Sequence, residues 1–394
     1  MPTEVPRIEG SGRLAASCRV AEAWSCGLQA SVRQGGDHLD AAAELDVGGD
    51  TLEIHLQRLA GRLRQEPVRL AAPVHATVTE GSVSLTPLRL SFAGGEVMAR
   101  GRVSWNGASD LEVRLASLDL GVVPRFVPGV PIGGRLGGTL TARGELGQPT
   151  LAASIGATDL RWERERLGEV RLVAGYDDRR AHADLGWRRG DTEVRARADV
   201  PLVLDPRGAG VVLRERAPLH ASVEVEALSL AELASLVGGP AIAGRVDATL
   251  RASGRLRDPV VEAEVTATDL RLEDDEIGDA RVAATAQDGV VKASLDLHGP
   301  AVDEAHVEAT LPLALRPTRG GVAYHARKRH ELSARLAWID LDRLEPWLGA
   351  RAPDLEGRVR VMAEATAEAG DVRGRVEVLG YDLVAVGYDV GAVE

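Results

Sequence analysis

The chain has 394 residues, enough for two or three compact domains. Its residues are 44% hydrophobic and 27% charged, which is the composition of a globular protein. Its 47 basic and 59 acidic residues give a net charge of −12, which argues against the basic surface of a nucleic-acid-binding protein. Aromatic residues make up only 3%, so the apolar mass is Val, Leu and Ala, without the aromatic anchors of a compact β-sandwich.

The first 117 residues are interpreted as a diverged copy of a repeat that becomes clear further along the chain. Its start, Gly10–Ala15, has the spacing of a dinucleotide-binding fingerprint but neither the strand before it nor the helix after it, so no cofactor is expected. Two cysteines are too few for a disulfide framework. Cys18 and Cys26 either form a disulfide in an oxidising compartment or, the interpretation we favour, Cys18 is a small buried residue of an apolar sheet face.

Alternation of apolar and polar residues is the dominant pattern from there on. It is complete over residues 135–146, 245–256 and 358–367, and alternation of this kind predicts antiparallel strands with one solvated face. The large aliphatic residues of the apolar face in these segments are the candidate site residues: Leu136, Leu140, Leu146, Val246, Leu250, Leu256, Val359 and Val361.

These segments belong to a long repeat. The tripeptide Gly134-Arg135-Leu136 recurs as Gly244-Arg245-Val246 and as Gly357-Arg358-Val359, at offsets of 110 and 113 residues from one copy to the next. A Leu-x-Leu-like landmark precedes each copy at 118–120, 228–230 and 339–341, and a short helix-forming stretch follows it, most clearly over 342–349. The predicted units are 1–117 (diverged), 118–227, 228–338 and 339–394 (partial).

A period of about 110 residues is too long for the coils of a β-helix, the blades of a propeller or leucine-rich repeats. No proline- or serine-rich linker separates the units, so we expect the sheet to continue from unit to unit. About 18 strands spaced by roughly 4.8 Å would form a sheet of about 85 Å with one apolar face and little helix to cover it. A sandwich, a closed barrel, a partner or a curled trough would each shelter that face, and the residues alone do not choose.

The order of these features resembles the repeats of the TamB family and, more broadly, of AsmA-like proteins. The match is clearest over Leu228–Gly278, whereas the third copy departs, with Ala367 and Val372 where Gly254 and Pro259 predict a glycine and a proline. The resemblance implies an all-β fold: an elongated, repeated antiparallel sheet curled into a groove (a β-taco) with short helical stretches between units.

The resemblance also implies a setting and a function. The setting is the periplasm of a diderm bacterium, with anchoring in the inner membrane through a segment absent from this chain, which is then a fragment or gene piece of a larger protein. The implied function is carrying phospholipid between the inner and outer membranes and supporting outer-membrane protein assembly with an Omp85-type partner, which a region outside this chain would bind. The eight aliphatic residues would line the groove and contact acyl chains.

Two alternative functions stay open. One is a structural scaffold or chaperone whose free strand edges pair with outer-membrane β-barrel clients. The other is a repeat adhesin with a closed core and no internal cavity.

The polar clusters are interpreted as surface features. The acidic residues of Glu273–Asp279 offer oxygen ligands for calcium, but the equivalent stretch at 163–166 alternates with arginine, so a solvated turn is predicted. The basic stretch at 324–330 is predicted as a hairpin tip, with contact to lipid headgroups as the alternative. The histidines lack metal-ligand spacing, and neither G-x-S-x-G nor a P-loop is present, so we expect no metal site and no enzyme.

Overall fold

A computed structural model describes residues 11–20, 24–205, 210–237, 241–273, 275–300, 302–316, 321–324, 327–341, 355–369, 371–385 and 388–393. These residues are almost entirely β-strand, so the predicted fold class, an all-β repeated antiparallel sheet with short helical stretches, is confirmed. The chain forms two compact units, 1–189 with 202–212 and 190–201 with 213–394. The four predicted repeat units are a different division of the chain and stay a prediction.

The first unit is an antiparallel meander in which successive strands pair with one another, except that the short strands at residues 66–70 and 74–79 together occupy one position between the strands before and after them. Its strands are β1 (Ser11–Val20), β2 (Trp24–Gln34), β3 (Asp37–Gly48), β4 (Thr51–Leu63), β5 (Glu66–Leu70), β6 (Val74–Thr79), β7 (Ser82–Phe92), β8 (Gly95–Ser104), β9 (Ala108–Asp119), β10 (Ile132–Glu145), β11 (Gln148–Trp162), β12 (Glu165–Asp177) and β13 (Arg180–Arg189). Strands β14 (Thr192–Asp205) and β15 (Gly210–Leu213) contain residues of both units.

Strands β5 and β6 share one strand position. β4 pairs with β6 through residues 51–56 and with β5 through residues 60–63, and β7 pairs with both. The interruption at 71–73 ends with Pro73, which has no amide hydrogen to give to the ladder. The first half of β4 therefore lies beside β6, where a group of polar side chains meets.

The second unit repeats the meander. Its strands are β16 (Pro218–Ser229), β17 (Ile242–Arg255), β18 (Asp258–Leu272), β19 (Asp275–Gln287), β20 (Val290–His298), β21 (Val302–Leu311), β22 (Leu313–Arg316), β23 (Gly321–Tyr324), β24 (His330–Asp340), β25 (Leu355–Glu368), β26 (Asp371–Ala385) and β27 (Tyr388–Val393). β22 and β23 form a small separate hairpin. The basic stretch at 324–330, predicted as a hairpin tip, follows it in the chain, and residues 325–326 of this stretch lie outside the described residues.

The predicted helical stretches follow the landmarks where the structure describes them. A 3-10 turn (Leu120–Val122) and helix α1 (Val123–Phe126) follow β9, and helix α2 (Leu230–Val237) follows β16. The Asp119 carboxylate accepts the Gly121 amide hydrogen at 2.8 Å and so caps the first turn. The stretch predicted over 342–349 lies outside the described residues.

The repeated Gly-Arg-hydrophobic tripeptide marks a β-bulge in each copy. Gly134, Gly244 and Gly357 have φ angles of +128°, +133° and +112°, and the strand pairing shifts register at each of them. A β-carbon on these glycines would lie 2.8, 3.0 and 2.5 Å from a backbone oxygen of the facing strand. Only glycine fits there, so the sequence repeat encodes a repeated irregularity of the backbone.

A repeated Asp-Leu dipeptide, Asp159-Leu160, Asp269-Leu270 and Asp382-Leu383, faces this bulge and extends the irregularity. Asp159, Asp269 and Asp382 have φ angles of +51°, +53° and +52°, a left-handed conformation that aspartate tolerates better than most residues. The glycine eight residues after each leucine is also left-handed at Gly168 (+81°) and Gly278 (+105°). A β-carbon on either would lie 2.0 Å from a backbone oxygen of the neighbouring strand.

The two cysteines form a disulfide, so the favoured prediction for Cys18 is wrong. Cys18 of β1 pairs directly with Cys26 of β2, with their Cα atoms 4.1 Å apart and a sulfur–sulfur bond between them. Cys26 is buried at 2% exposure, whereas Cys18 is exposed because β1 pairs, in the described part of the chain, with β2 alone. The shared alternation phase of Cys18 and Leu14 did not indicate burial, since Leu14 is itself 73% exposed.

Candidate functional site

The candidate site is an uncovered aliphatic face of the sheet. Residues directly opposite each other on neighbouring strands point to the same face and form rows across the sheet. In the second unit one row crosses nine strands, and its members are Val223, Leu250, Ala263, Ala284, Ala293, Ala309, Leu332, Ala365 and Gly374.

Two further rows run beside it on the same face. The middle row contains Val225, Ala248, Val265, Val282, Leu295, Val307, Ala334, Ala363 and Val376. The outer row contains Leu228, Val246, Ala267, Ala280, Leu297, Ala305, Leu336, Val361 and Val378. Every member of the three rows is Ala, Val, Leu or Gly, and at about 4.8 Å per strand the aliphatic face is about 38 Å across.

The first unit carries an equivalent row over seven strands. Its members are Leu88, Ala99, Val113, Leu140, Ala153, Ala174 and Ala183. A pocket of about 370 Å³ opens on this face, between aliphatic side chains that include Leu111, Leu140 and Leu151 and the ring of Tyr176. The same kind of surface is therefore present in each unit.

Most residues of these rows are not buried, although Ala267 and Ala305 of the outer row are buried at 8% and 4% exposure. Leu140 is 37% exposed, Leu250 40% and Leu332 47%, whereas leucines of a closed core are mostly fully buried. Contiguous exposed apolar area of this extent marks an interaction surface in soluble proteins. These exposures argue against the closed core that an adhesin would have.

The opposite face of the same strands is polar. The row beside Leu250 consists of Glu224, Thr249, Glu264, Ala283, Ser294, Glu308, Ser333, Glu364 and Arg375. In the first unit, Arg100 donates to Glu112 at 2.9 and 2.6 Å and Arg114 donates to the same carboxylate, which lowers the pKa of Glu112 below its usual range. The sheet is therefore amphipathic, with one solvated and ion-paired face.

Six of the eight predicted site residues lie on β-strands, and four of them, Leu140, Val246, Leu250 and Val361, are members of the rows named above. Leu136, Leu140, Val246, Leu250, Val359 and Val361 each pair with an Ala, Val, Leu, Ile or Gly on the strands beside them. Leu146 and Leu256 lie instead in the two-residue turns after β10 and β17. Leu256 is buried there at 8% exposure, so alternation continued one residue beyond the end of the strand.

The structure also brings together side chains that the sequence left scattered. His55 of β4 lies directly opposite His75 of β6, and Glu53 of β4 lies directly opposite Asp46 of β3. Both Glu53 and His55 point to one face because they are two residues apart on a strand. Only the strand register reveals this group, since 20 residues separate the two histidines.

No protein-family model matches this chain, and no curated protein matches its sequence. Among the residues that the structure describes, no helix has the length and apolar character needed to span a membrane.

Proposed function

We propose that this chain is a segment of a periplasmic groove protein that carries phospholipid between two membranes and supports outer-membrane protein assembly. The observation that carries the proposal is the set of contiguous and largely solvent-accessible aliphatic rows on each unit. Acyl chains would lie along these rows because each CH₂ group removed from water contributes about 0.8 kcal/mol. Headgroups would stay in water at the margin of the aliphatic face.

The composition of the rows favours an acyl chain over other apolar ligands. Sites for small polar ligands place a few hydrogen-bonding groups among apolar ones, and protein partners are anchored mainly by Trp, Tyr and Arg. The three rows of the second unit contain none of these groups. Such a surface binds hydrocarbon without gripping one position, as movement along a groove requires.

The disulfide supports the proposed compartment. Disulfides persist in oxidising compartments such as the bacterial periplasm and are rare in the cytosol. Cys18 and Cys26 are bonded across the first hairpin. The inner-membrane anchor and the contact with an Omp85-type partner belong to the proposal through the resemblance to TamB and AsmA-like repeats.

A second candidate is a scaffold or chaperone that pairs with β-barrel clients. One observation favours it: β1 pairs, on its described residues, with β2 alone and carries Leu14 at 73% exposure. A strand with an open edge and exposed apolar side chains accepts an added strand readily. This function would use a strand edge, whereas lipid transport would use the aliphatic face.

The two candidates are tested with face-specific variants of the full chain, expressed in a bacterial periplasm and purified without detergent. Bound phospholipid is measured by native mass spectrometry and by lipid extraction. We expect near-stoichiometric phospholipid on the natural sequence and a loss of at least about tenfold in the double variant Leu140→Asp, Leu250→Asp, because a buried carboxylate beside hydrocarbon is costly.

The matched control changes the preceding residue of each strand, which points to the opposite face. Thr139→Asp with Thr249→Asp introduces the same charges in the same strands and should keep the lipid. Circular dichroism serves as the folding control and should show that both double variants keep their β-strand content. A folded natural protein without lipid, or equal lipid on both double variants, contradicts lipid transport by this segment and leaves the scaffold.

A further inference from the structure

We infer that Glu53, His55 and His75 form a binding site for a divalent transition-metal ion on the polar face of the first unit. One ligand atom from each of the three lies within 4.8 Å of those of the other two. The Nδ1 atoms of the two histidines are 3.0 Å apart. This inference is independent of the aliphatic face and of the proposed function.

The sheet register positions the three donors. His75 of β6 lies directly opposite His55 of β4, and Glu53 points to the same face one pair further along β4. Asp46 of β3 lies directly opposite Glu53 and brings its Oδ2 to 3.9 Å from His55 Nε2. The neighbouring strands β3, β4 and β6 thus direct two imidazoles and two carboxylates to the same part of the polar face.

The spacing of the donors fits a small tetrahedral ion. With Zn–N distances of about 2.0–2.1 Å, two ligand atoms of a tetrahedral site lie about 3.3 Å apart. The two Nδ1 atoms at 3.0 Å are close to that separation, so a small ring rotation would admit the ion. Glu53 would supply the third ligand, and Asp46 or water would complete the coordination.

Oxygen atoms lie near the second nitrogen of each ring. Thr77 Oγ1 lies 3.2 Å from His75 Nε2, so His75 Nδ1, which shares a hydrogen bond with His55 Nδ1, is the nitrogen that would bind an ion. The Glu53 and Asp46 carboxylates lie 3.8 and 3.9 Å from His55 Nε2, beyond hydrogen-bond distance, so a carboxylate would turn toward the ion to bind it. An oxygen partner on the outer nitrogen, as Thr77 is for His75, fixes the tautomer and orientation of a metal-binding histidine.

The backbone of His75 is also held in place. Its amide donates to Thr86 Oγ1 at 2.9 Å, and the Thr86 hydroxyl donates back to the His75 carbonyl at 3.0 Å. These bonds span the β6–β7 hairpin beside the interruption at Pro73. A metal ion bridging β4 and β6 would tie the sheet together where the β5–β6 strand position is broken.

The donor set selects the class of ion. Imidazole nitrogens suit zinc, copper and nickel, whereas calcium and magnesium prefer oxygen ligands throughout. Two histidines and a carboxylate are also the ligand set of several zinc enzymes. Zinc is therefore the probe, and calcium is the negative control.

Isothermal titration of the chelator-treated full chain with zinc chloride tests the site. We expect one zinc ion per chain, and His55→Gln and His75→Gln should each weaken binding by at least the roughly tenfold that loss of an outer-shell partner costs. His38→Gln, on β3 outside the group, is the matched control and should bind like the natural sequence. Calcium should produce no binding at this site.

A second measurement requires no variant. Zinc should protect His55 and His75, but not His38, from modification by diethylpyrocarbonate, mapped by peptide mass spectrometry. The inference is overturned if zinc protects neither His55 nor His75, or if the natural sequence binds zinc no more tightly than the double variant His55→Gln, His75→Gln. Equal weakening by His38→Gln would overturn it as well.

Discussion

Replacing Gly168 with alanine should locally loosen the sheet between β12 and β13. Gly168 is the glycine of the repeated Asp-Leu segment, and its φ angle of +81° lies in the left-handed region. An alanine β-carbon there would lie 2.0 Å from the carbonyl oxygen of Arg188 on β13. The Arg188 carbonyl would have to move away, which disturbs the neighbouring pair Glu169–Arg188.

The expected cost has two sources. A non-glycine residue in such a conformation costs about 1–3 kcal/mol, and forcing extra atoms into a packed position costs about 1–3 kcal/mol more. We therefore expect the free energy of local opening around Gly168 to fall by at least about 2 kcal/mol. A change of that size shifts the ratio of closed to open forms about 30-fold.

Hydrogen–deuterium exchange with peptide mass spectrometry is the suitable assay, because long repeat arrays need not unfold in one cooperative step. Peptides that cover β12 and β13 should exchange about 30-fold faster in Gly168→Ala. The matched control is Gly186→Ala on β13, where a β-carbon has no atom within 4 Å. Alanine there should leave exchange unchanged or slow it, because it reduces the entropy of the unfolded chain.

If Gly168→Ala and Gly186→Ala exchange at the same rate, the bulge is not set by the glycine. The repeated glycine would then be a sequence signature without a backbone role.

Two further predictions concern polar groups. The hydrogen bond from His306 to Asp296, at 2.5 Å, raises the pKa of His306. This bond therefore stabilises the fold fully below the unfolded pKa of 6.5, and the stabilisation is lost as the pH rises through the folded pKa. His306→Gln should therefore lower the free energy of unfolding at about pH 5.5 but not at about pH 9. The loss should be less than about 1 kcal/mol because the pair is partly exposed. An equal loss of free energy at both pH values would contradict this prediction. Asp279 accepts the amide hydrogen of Asp269 at 2.9 Å, so Asp279→Ala should speed exchange of that amide through loss of about 1 kcal/mol, whereas Asp279→Asn keeps an acceptor and should not. Equal exchange in the two variants would show that the bond does not hold the bulge.

The strands were predictable because alternation reports directly which side chains share a face. Six of the eight predicted residues lie on strands and have apolar cross-strand neighbours for this reason. Leu146 and Leu256 were predicted to lie on the same face, but they lie in turns. A leucine in a turn can continue the alternation, so the pattern did not show that the strand had ended. Alternation identifies faces and does not identify strand ends.

What the sequence did not reveal depends on which strands lie side by side. The contact between His55 and His75 arises because β4 pairs with β6 as well as with β5, and no spacing within one segment encodes that pairing. The bond between Cys18 and Cys26 needs the register of the first hairpin in the same way. Asp279, interpreted as part of a solvated acidic cluster, holds the backbone of Asp269 across the β18–β19 pair.

The repeated glycines set the strand register, and the residues of the aliphatic rows form the apolar surface. A slip of one residue in strand pairing turns every side chain to the other face, which would put Thr249 where Leu250 is. The bulges at Gly134, Gly244 and Gly357 fix the register, because only the strand position with glycine accommodates the close backbone approach. The glycines of the repeat therefore keep the aliphatic rows in phase across many strands. Within the rows, Ala, Val and Leu can replace one another without loss of the apolar surface.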